Sequence, residues 1–556
     1  MKSAPPSSPW DSEVRLLAWL ATCVSVFSFL FYFRYGDVLL YGDAVAHLNI
    51  ARRVFDSKTP GLLQLGTVWL PLPHLLMIPF LISDEMWQRG VGGSIPSMVA
   101  YVFGVIGMFR LVRGVLSGGV EPDRAARVAA WTAALVYGAN PNLIYLQTTA
   151  MGEAVYLAFF IWSVMYLSEF VRGNAKALVK CGWCLAAACL TRYDGWFLAA
   201  AIAATVVLFA WRSDDGTVAK SGFRVSRMAA VKFVLIAAAA PALWLAYNGL
   251  VYRNPLEFAN GPYSAKAIER RSENGGSRGH PGSGDPVLAG MYFLKSAEIN
   301  LAEDEWLQRA WILVAVVGVA GVALRRRELS AAGVSTPRGL GPLMFLLVPL
   351  PFYALSVAYG GVPIFVPTWW PFSHYNVRYG LQLLPAFAAA MGVVVHLAVR
   401  FEGWNSRLRL ACVLGVFALV MASYVSIWRS TPVSLKEAQV NMGTRNRLET
   451  ELATWLRKLP PDSTLLMYLG DHVGAVQQAG IPLKRVINEG NHRTWRQPVD
   501  PEGLWERALA DPARYTDYVV AFEGDSVWQA VRDRHLQALV EIHTTGQARA
   551  VLYRAR

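Results

Sequence analysis

The chain has 556 residues, of which 54% are hydrophobic and only 16% charged, and it carries a formal net charge of +13. This composition excludes an ordinary soluble domain, because the apolar residues gather in blocks near the length that a bilayer core of roughly 30 Å demands of a helix. It also excludes nucleic acid as the source of the basic character: Lys and Arg fall in short clusters between apolar blocks, where lipid head groups and membrane topology account for them.

In chain order the apolar blocks are 16–33, 67–83, 94–113, 128–140, 153–170, 177–191, 193–211, 230–250, 309–324, 340–358, 379–399 and 408–428. The first lacks a small-residue cleavage site and reads as a retained anchor. Five basic clusters punctuate the series: Arg110, Arg113, Arg124 and Arg127; Arg172, Lys176 and Lys180; Arg212, Lys220, Arg224, Arg227 and Lys232; Arg325, Arg326 and Arg327; and Arg400, Arg407 and Arg409. The positive-inside rule places all five in the cytoplasm with Lys2 and Arg15, provided that one early block does not cross. Block 67–83 is the one to demote, since it is short and holds Pro71, Pro73, Pro79 and His74. It reads as a helix on or dipping into the outer surface.

Eleven spans result, with a cytoplasmic N-terminus. The outer segments are one large loop 34–93, then 141–152, the turn 191–194, the stretch 251–308, the aromatic segment 359–378 and everything after 430. Within 251–308, the region 271–287, opening "RSENGGSRGHPGSGDP", has linker composition and reads as a mobile loop. Residues 1–430 thus form a transmembrane domain and 431–556 a small external α/β domain, in which "LETELATWLRKL" reads as an amphipathic helix. "STLLMYLGD" and "TDYVVAFEGD" read as buried strands and "LVEIHTTGQARAVLYRA" as a terminal hairpin. The five cysteines all lie inside apolar blocks and imply no disulfide framework; Cys181 and Cys184 lack a second ligand pair and read as packing residues.

Polar residues at the outer boundary need a reason. Asp43 and His47 are four apart and share a helix face, and Asp43 either caps "AVAHLNIARRVF" or serves chemistry. Glu153 opens a span with no other charge for about 15 residues, so it either complements the helix dipole or serves a wet functional cavity. Arg192 in "LTRYDGWF" and Arg378 in "HYNVRYGLQLLPAF" each precede a tyrosine at the outer end of a span. They either snorkel or gather a phosphate, for which the planar guanidinium is suited. Carboxylates beside arginines in an outer cavity can accept a proton from a nucleophilic hydroxyl while cations stabilise a departing phosphate.

With those residues in place, the chain resembles the GT-C superfamily of membrane glycosyltransferases. That superfamily takes sugars from polyprenyl-phosphate carriers and includes protein O-mannosyltransferases, the aminoarabinose transferase of lipid A and oligosaccharyltransferases. "YGDAVAHLNIARR" followed by "VWLPLPHLLMIPF" matches the family's first external loop and its surface helices. "TTAMGE" supplies its second acidic residue, "TRYDGW" resembles its Thr-Arg-Pro-Glu-Gly turn with Tyr193 and Asp194 as departures, and "RYGLQLLPAF" resembles its late Arg-Tyr segment. Many relatives carry Asp-Glu in the first loop, whereas Ala44 follows Asp43 here, so that spot offers no second carboxylate.

The resemblance implies an all-α GT-C membrane domain in the bacterial inner membrane, with its external domain periplasmic. It implies transfer with inversion from a polyprenyl-phosphate-linked sugar to a lipid, glycan or protein acceptor. Asp43 and Glu153 are then the catalytic acids, with Asp43 as general base, and the substrate-binding set is His47, Arg53, His74, Arg192, Tyr193, Tyr375, Arg378 and Tyr379. Some relatives use a divalent cation, and Asp43, Glu153, His47 and His74 offer an oxygen and imidazole set for Mg or Mn without compelling one. The alternatives are a transporter or flippase of a lipid-linked substrate, which internal repeats and mid-membrane charges would mark, and a non-catalytic subunit of an envelope assembly.

Overall fold

The computed structural model describes residues 10–118, 121–214, 226–274, 279–331, 341–401, 403–491 and 503–556. Lys2, Lys220, Arg224 and part of the expected linker (275–278) lie outside the described residues. Among the described residues eight helices are long and apolar enough to cross a membrane: Ser12–Tyr35, Val91–Ser117, Glu153–Val171, Asp194–Trp211, Arg227–Val251, Gly341–Tyr359, Val377–Arg400 and Ser406–Leu456. The chain is a multi-pass membrane protein. The other three expected spans are also helical, as Arg124–Gly138, Ala175–Cys189 and Glu305–Ala331.

Block 67–83 contains only the helix Leu72–Met77 and a 3-10 turn Ile78–Phe80. Six helical residues advance about 9 Å, far short of a bilayer core. The chain therefore stays on one side between its first two long helices, and the helix Gly42–Arg53 lies in that loop. Among the described residues, members of the first and last basic clusters lie at the opposite end of the bundle from this loop. There Arg113 pairs with Asp11 at 2.7 Å, Arg127 with Glu13 at 3.1 Å, Arg110 with Glu169 at 3.2 Å and Arg400 with Asp123 at 2.5 Å.

Of the expected linker 271–287, residues 271–274 end the helix Ala265–Asn274, 275–278 lie outside the described residues, and turns over 281–284 lead to the next helix. A helix Pro286–Leu301, begun by Pro286 and capped by the Asp285 side chain, packs against Pro349–Tyr359 and the turn Val377–Leu383. Beside it Gly284 donates its N–H to the Ala358 carbonyl at 2.8 Å. The close packing of Val377–Leu383 depends on Gly380, where a Cβ would meet the backbone of Ser296 and Ala297 at 2.4 Å.

The C-terminal region holds a five-stranded sheet of order β2-β1-β3-β5-β4, with β1 Leu465–Met467, β2 Val486–Ile487, β3 Tyr518–Phe522, β4 Gln537–Ile542 and β5 Ala550–Arg554. β1 runs parallel to β2 and β3, while β5 pairs antiparallel with β3 and β4. The parallel β1 is buried throughout, as its apolar "LLM" requires. This sheet is docked onto the first outer loop. Asn49 donates to the Gln477 side chain at 2.7 Å, Gln477 donates to the Trp87 carbonyl at 2.9 Å, and Asp56 accepts from the backbone of Leu483 and Lys484.

Candidate active site

Asp43 sits in the first turn of Gly42–Arg53, where Tyr41 is the N-cap residue. Its carboxylate does not cap the helix; it reaches 335 residues along the chain to the Arg378 guanidinium, Nη2 to Oδ2 at 2.7 Å. Glu153 opens Glu153–Val171, and its Oε1 accepts from Arg378 Nε at 3.3 Å and from Arg192 Nη1 at 3.1 Å. Arg192 is held in its turn by the Ala188 carbonyl at 3.0 Å. Its Nη2 donates to the Tyr353 hydroxyl at 2.8 Å, and that hydroxyl donates to Asp194 at 3.3 Å. The Tyr379 ring lies between the two guanidiniums, 4.9 Å from Arg192 and 5.1 Å from Arg378, and the Tyr41 ring flanks Arg378 at 5.0 Å.

A fourth acid completes the cluster. Glu437, from the helix Val433–Leu456, forms a short ion pair with Arg378 Nη1 and accepts the backbone N–H of Val377 at 2.7 Å. Two arginines thus serve four carboxylates, Asp43, Glu153, Asp194 and Glu437. Burying charge requires such pairing. Three of the acids are almost wholly buried, whereas the Asp43 side chain keeps 42% of its surface exposed and opens outward. Glu153 Oε2 and Asp194 Oδ1 are buried with no hydrogen-bond partner among the described residues.

This cluster forms the polar end of a cavity of about 1510 Å³. Asp43, His47, Glu153, Arg192, Tyr193, Tyr375, Arg378 and Tyr379 all line it, so the structure brings together eight of the ten residues expected from sequence. Most of the remaining wall is apolar, including Trp69, Phe197, Phe258, Phe352 and Trp370. Burial next to Asp43 pushes the Tyr375 phenol up to about 12. Lys266, from the helix Ala265–Asn274, also lines the cavity, and no carboxylate pairs with it among the described residues. Sequence reasoning missed Lys266 and Glu437.

Arg53 and His74 do not line the cavity. Arg53 turns toward the C-terminal sheet and faces Glu489 at 3.9 Å; burial lowers its basicity and raises that of Glu489. His74 is fully buried behind His47, its Nε2 2.8 Å from His47 Nδ1. Burial lowers the pKa of both imidazoles, that of His74 further through its neighbour, so both are neutral near pH 7. His74 Nδ1 has no partner among the described residues. An orphaned buried N–H is the rarer and costlier outcome, so the proton of His74 belongs on Nε2, donated to His47. His47 then carries its own proton on Nε2, on the cavity side of the pair.

The same contacts decide how well these residues fit a divalent cation. Asp43 and Glu153 face arginines, the imidazoles bond one another, and no group of three or more His, Cys, Asp or Glu converges among the described residues. This arrangement does not fit a metal ion.

No family model matches the sequence, and no curated protein matches it. Among solved structures, ArnT from Cupriavidus metallidurans bound to undecaprenyl phosphate aligns at 13% identity and a TM-score of 0.52, over 98% of this chain and 98% of that one. The apo form of the same protein aligns at 13% identity with a TM-score of 0.53, over the same shares. An oligosaccharyltransferase from Archaeoglobus fulgidus aligns at 14% identity and a TM-score of 0.47, over 92% of this chain and 69% of that one. The chain therefore shares the fold of ArnT over 98% of its length.

Proposed function

We propose that this protein is a membrane glycosyltransferase that moves a sugar from a polyprenyl-phosphate carrier to an acceptor hydroxyl on the outer face of the cytoplasmic membrane. The observation that carries this reading is the half-exposed Asp43 carboxylate, oriented by a buried arginine at the polar end of a largely apolar cavity of about 1510 Å³. An apolar cavity suits a prenyl chain, and the ArnT of the same fold binds undecaprenyl phosphate. The first and last basic clusters, at the other end of the bundle, support a cytoplasmic N-terminus and an outward-facing site.

In this mechanism Asp43 takes the proton of the acceptor hydroxyl. The oxygen attacks the anomeric carbon from the face opposite the carrier, the bond from that carbon to the phosphate oxygen breaks, and the phosphate leaves with the electron pair. The anomeric configuration inverts through an oxocarbenium-like transition state. Arg378 and Arg192 already serve four carboxylates, so among the described cavity-lining residues Lys266 is the cation without a carboxylate partner and takes the phosphate charge, with the His47 Nε2–H as a neutral donor. Arg378 then acts by orienting Asp43. The trio Arg192, Tyr353 and Asp194 fixes Glu153 beneath it.

The test is Asp43→Asn in proteoliposomes of native membrane extract, which supplies acceptor hydroxyls, with a panel of undecaprenyl-phosphate-linked hexoses and pentoses and release of undecaprenyl phosphate as the readout. The parent should turn over at least one donor and the variant should lose about 10²–10⁴ in rate, the usual scale of a general base. A variant as fast as the parent would remove Asp43 from the chemistry.

A further inference from the structure

The helix that leads into the C-terminal sheet does more than connect it. We infer that Glu437 is a positioning residue of the transfer site, fixing the Arg378 guanidinium in the orientation that holds Asp43 toward the cavity; this rests on the transferase reading above.

The geometry is specific. Glu437 is wholly buried, and its two oxygens hold both the side chain and the backbone of Arg378: Oε1 pairs with Nη1, while Oε2 accepts from the N–H of Val377 at 2.7 Å and of Arg378 at 3.4 Å. The turn Val377–Leu383 has no side-chain cap of its own. Its N-cap residue Asn376 sits at φ 56° and spends its amide on the Pro363 carbonyl at 2.8 Å. Glu437 supplies the missing cap from 59 residues away. The start of its helix is itself pinned to the site: Ser434 donates its N–H to Asn142 at 2.9 Å and accepts from the Tyr41 hydroxyl at 2.7 Å. Tyr41 is the N-cap residue of the Asp43 helix and lies against the Arg378 guanidinium. A buried ion pair is weak evidence for stability as such, because apolar residues of similar volume often serve as well. A carboxylate here orients a guanidinium fork, which an apolar residue cannot do.

Glu437→Gln is the discriminating variant. Its amide oxygen can still accept the two backbone N–H groups, but its NH₂ then faces Arg378 donor to donor and displaces the guanidinium from Asp43. The expected result, referred to the folded fraction measured by size-exclusion chromatography of the same sample, is a kcat at least tenfold lower with the KM for the lipid-linked donor within about twofold; that normalisation is needed because a loss of folded protein also lowers the apparent kcat at constant KM. Glu437→Asp, which keeps the charge and withdraws it by one methylene, should show the same split if the glutamine variant fails to fold. A cryo-EM map of either variant gives a second readout that needs no turnover: Arg378 should leave hydrogen-bond distance of Asp43. If the parent transfers no sugar while the map shows Arg378 displaced, the transferase reading falls and the positioning role stands. A map with the Arg378–Asp43 contact intact, or variants with unchanged kcat, would overturn the proposal.

Discussion

Replacing Arg378 with methionine tests the electrostatic logic of the site most severely. The guanidinium serves three carboxylates, but their stakes differ. Glu153 keeps Arg192 as a second partner, and the Asp43 side chain, 42% exposed, recovers solvation in the cavity, so its share is discounted to under about 1 kcal/mol. Glu437 has a side chain only 1% exposed and loses its cation outright. Removing one partner of a buried pair costs about 3–5 kcal/mol, because the other charge is stranded. Arg378→Met should therefore destabilise the fold by about that amount. Arg378→Met combined with Glu437→Gln should recover roughly 2 kcal/mol of it, since the stranded charge is gone, which makes the pair strongly non-additive. The assay is unfolding in mixed detergent and SDS micelles, followed by the fluorescence of the chain's 20 tryptophans. An Arg378→Met midpoint equivalent to less than about 1 kcal/mol, or a double variant whose loss is the sum of the two single losses, would refute the reasoning.

The remaining predictions concern the carrier, the histidines and the docked sheet. Lys266→Glu should weaken undecaprenyl phosphate binding at least tenfold by microscale thermophoresis, since a charge-assisted hydrogen bond is worth about 1.5–3 kcal/mol; unchanged affinity would move the phosphate elsewhere. His47 and His74 have folded pKa values held below 6.5 by burial, so the unfolded chain takes up protons first as pH falls. Their stabilising contribution is complete above pH 6.5 and is lost below it, by up to about 1.4 kcal/mol per pH unit for each ring. The protection factors of Gly42–Arg53, corrected for the intrinsic slowing of exchange at lower pH, should therefore fall between pH 7.5 and pH 5, and a His74→Phe variant should lose part of that fall. Gln477→Ala leaves the Trp87 carbonyl without its buried donor and should cost about 1–3 kcal/mol, read as faster exchange across Val473–Ala479 with donor binding retained.

How much of this was legible depended on whether each residue stood out against its surroundings. Asp43, Glu153, Arg192 and Arg378 flank apolar blocks, where an ionisable group is costly and therefore conspicuous. The prolines of 67–83 likewise signalled a segment unable to span. Glu437 gave no such signal, because it sits in the polar run "SLKEAQ", where a carboxylate is ordinary and its partner is 59 residues away. Asp194 registered only as a departure from a family motif; its partner Tyr353 is 159 residues distant. Arg53 was near the right place in sequence but on the wrong face: it follows Asp43 by ten residues, about 80° short of three full turns, whereas His47 at four residues shares the Asp43 side. Strand β2, only two residues long, is too short for any periodicity to reveal. The ordered helix Pro286–Leu301 was hidden by the Gly- and Ser-rich stretch before it, whose composition masked the Asp-Pro start signal at 285–286.

The most direct measurement is a cryo-EM map of the whole protein in lipid nanodiscs with a bound undecaprenyl-phosphate-linked sugar. The prenyl chain should lie in the apolar part of the cavity, with the phosphate against Lys266 and the anomeric carbon open to an acceptor on the Asp43 side. A carrier bound elsewhere on the bundle, with the Asp43 carboxylate facing no part of the sugar, would contradict this arrangement.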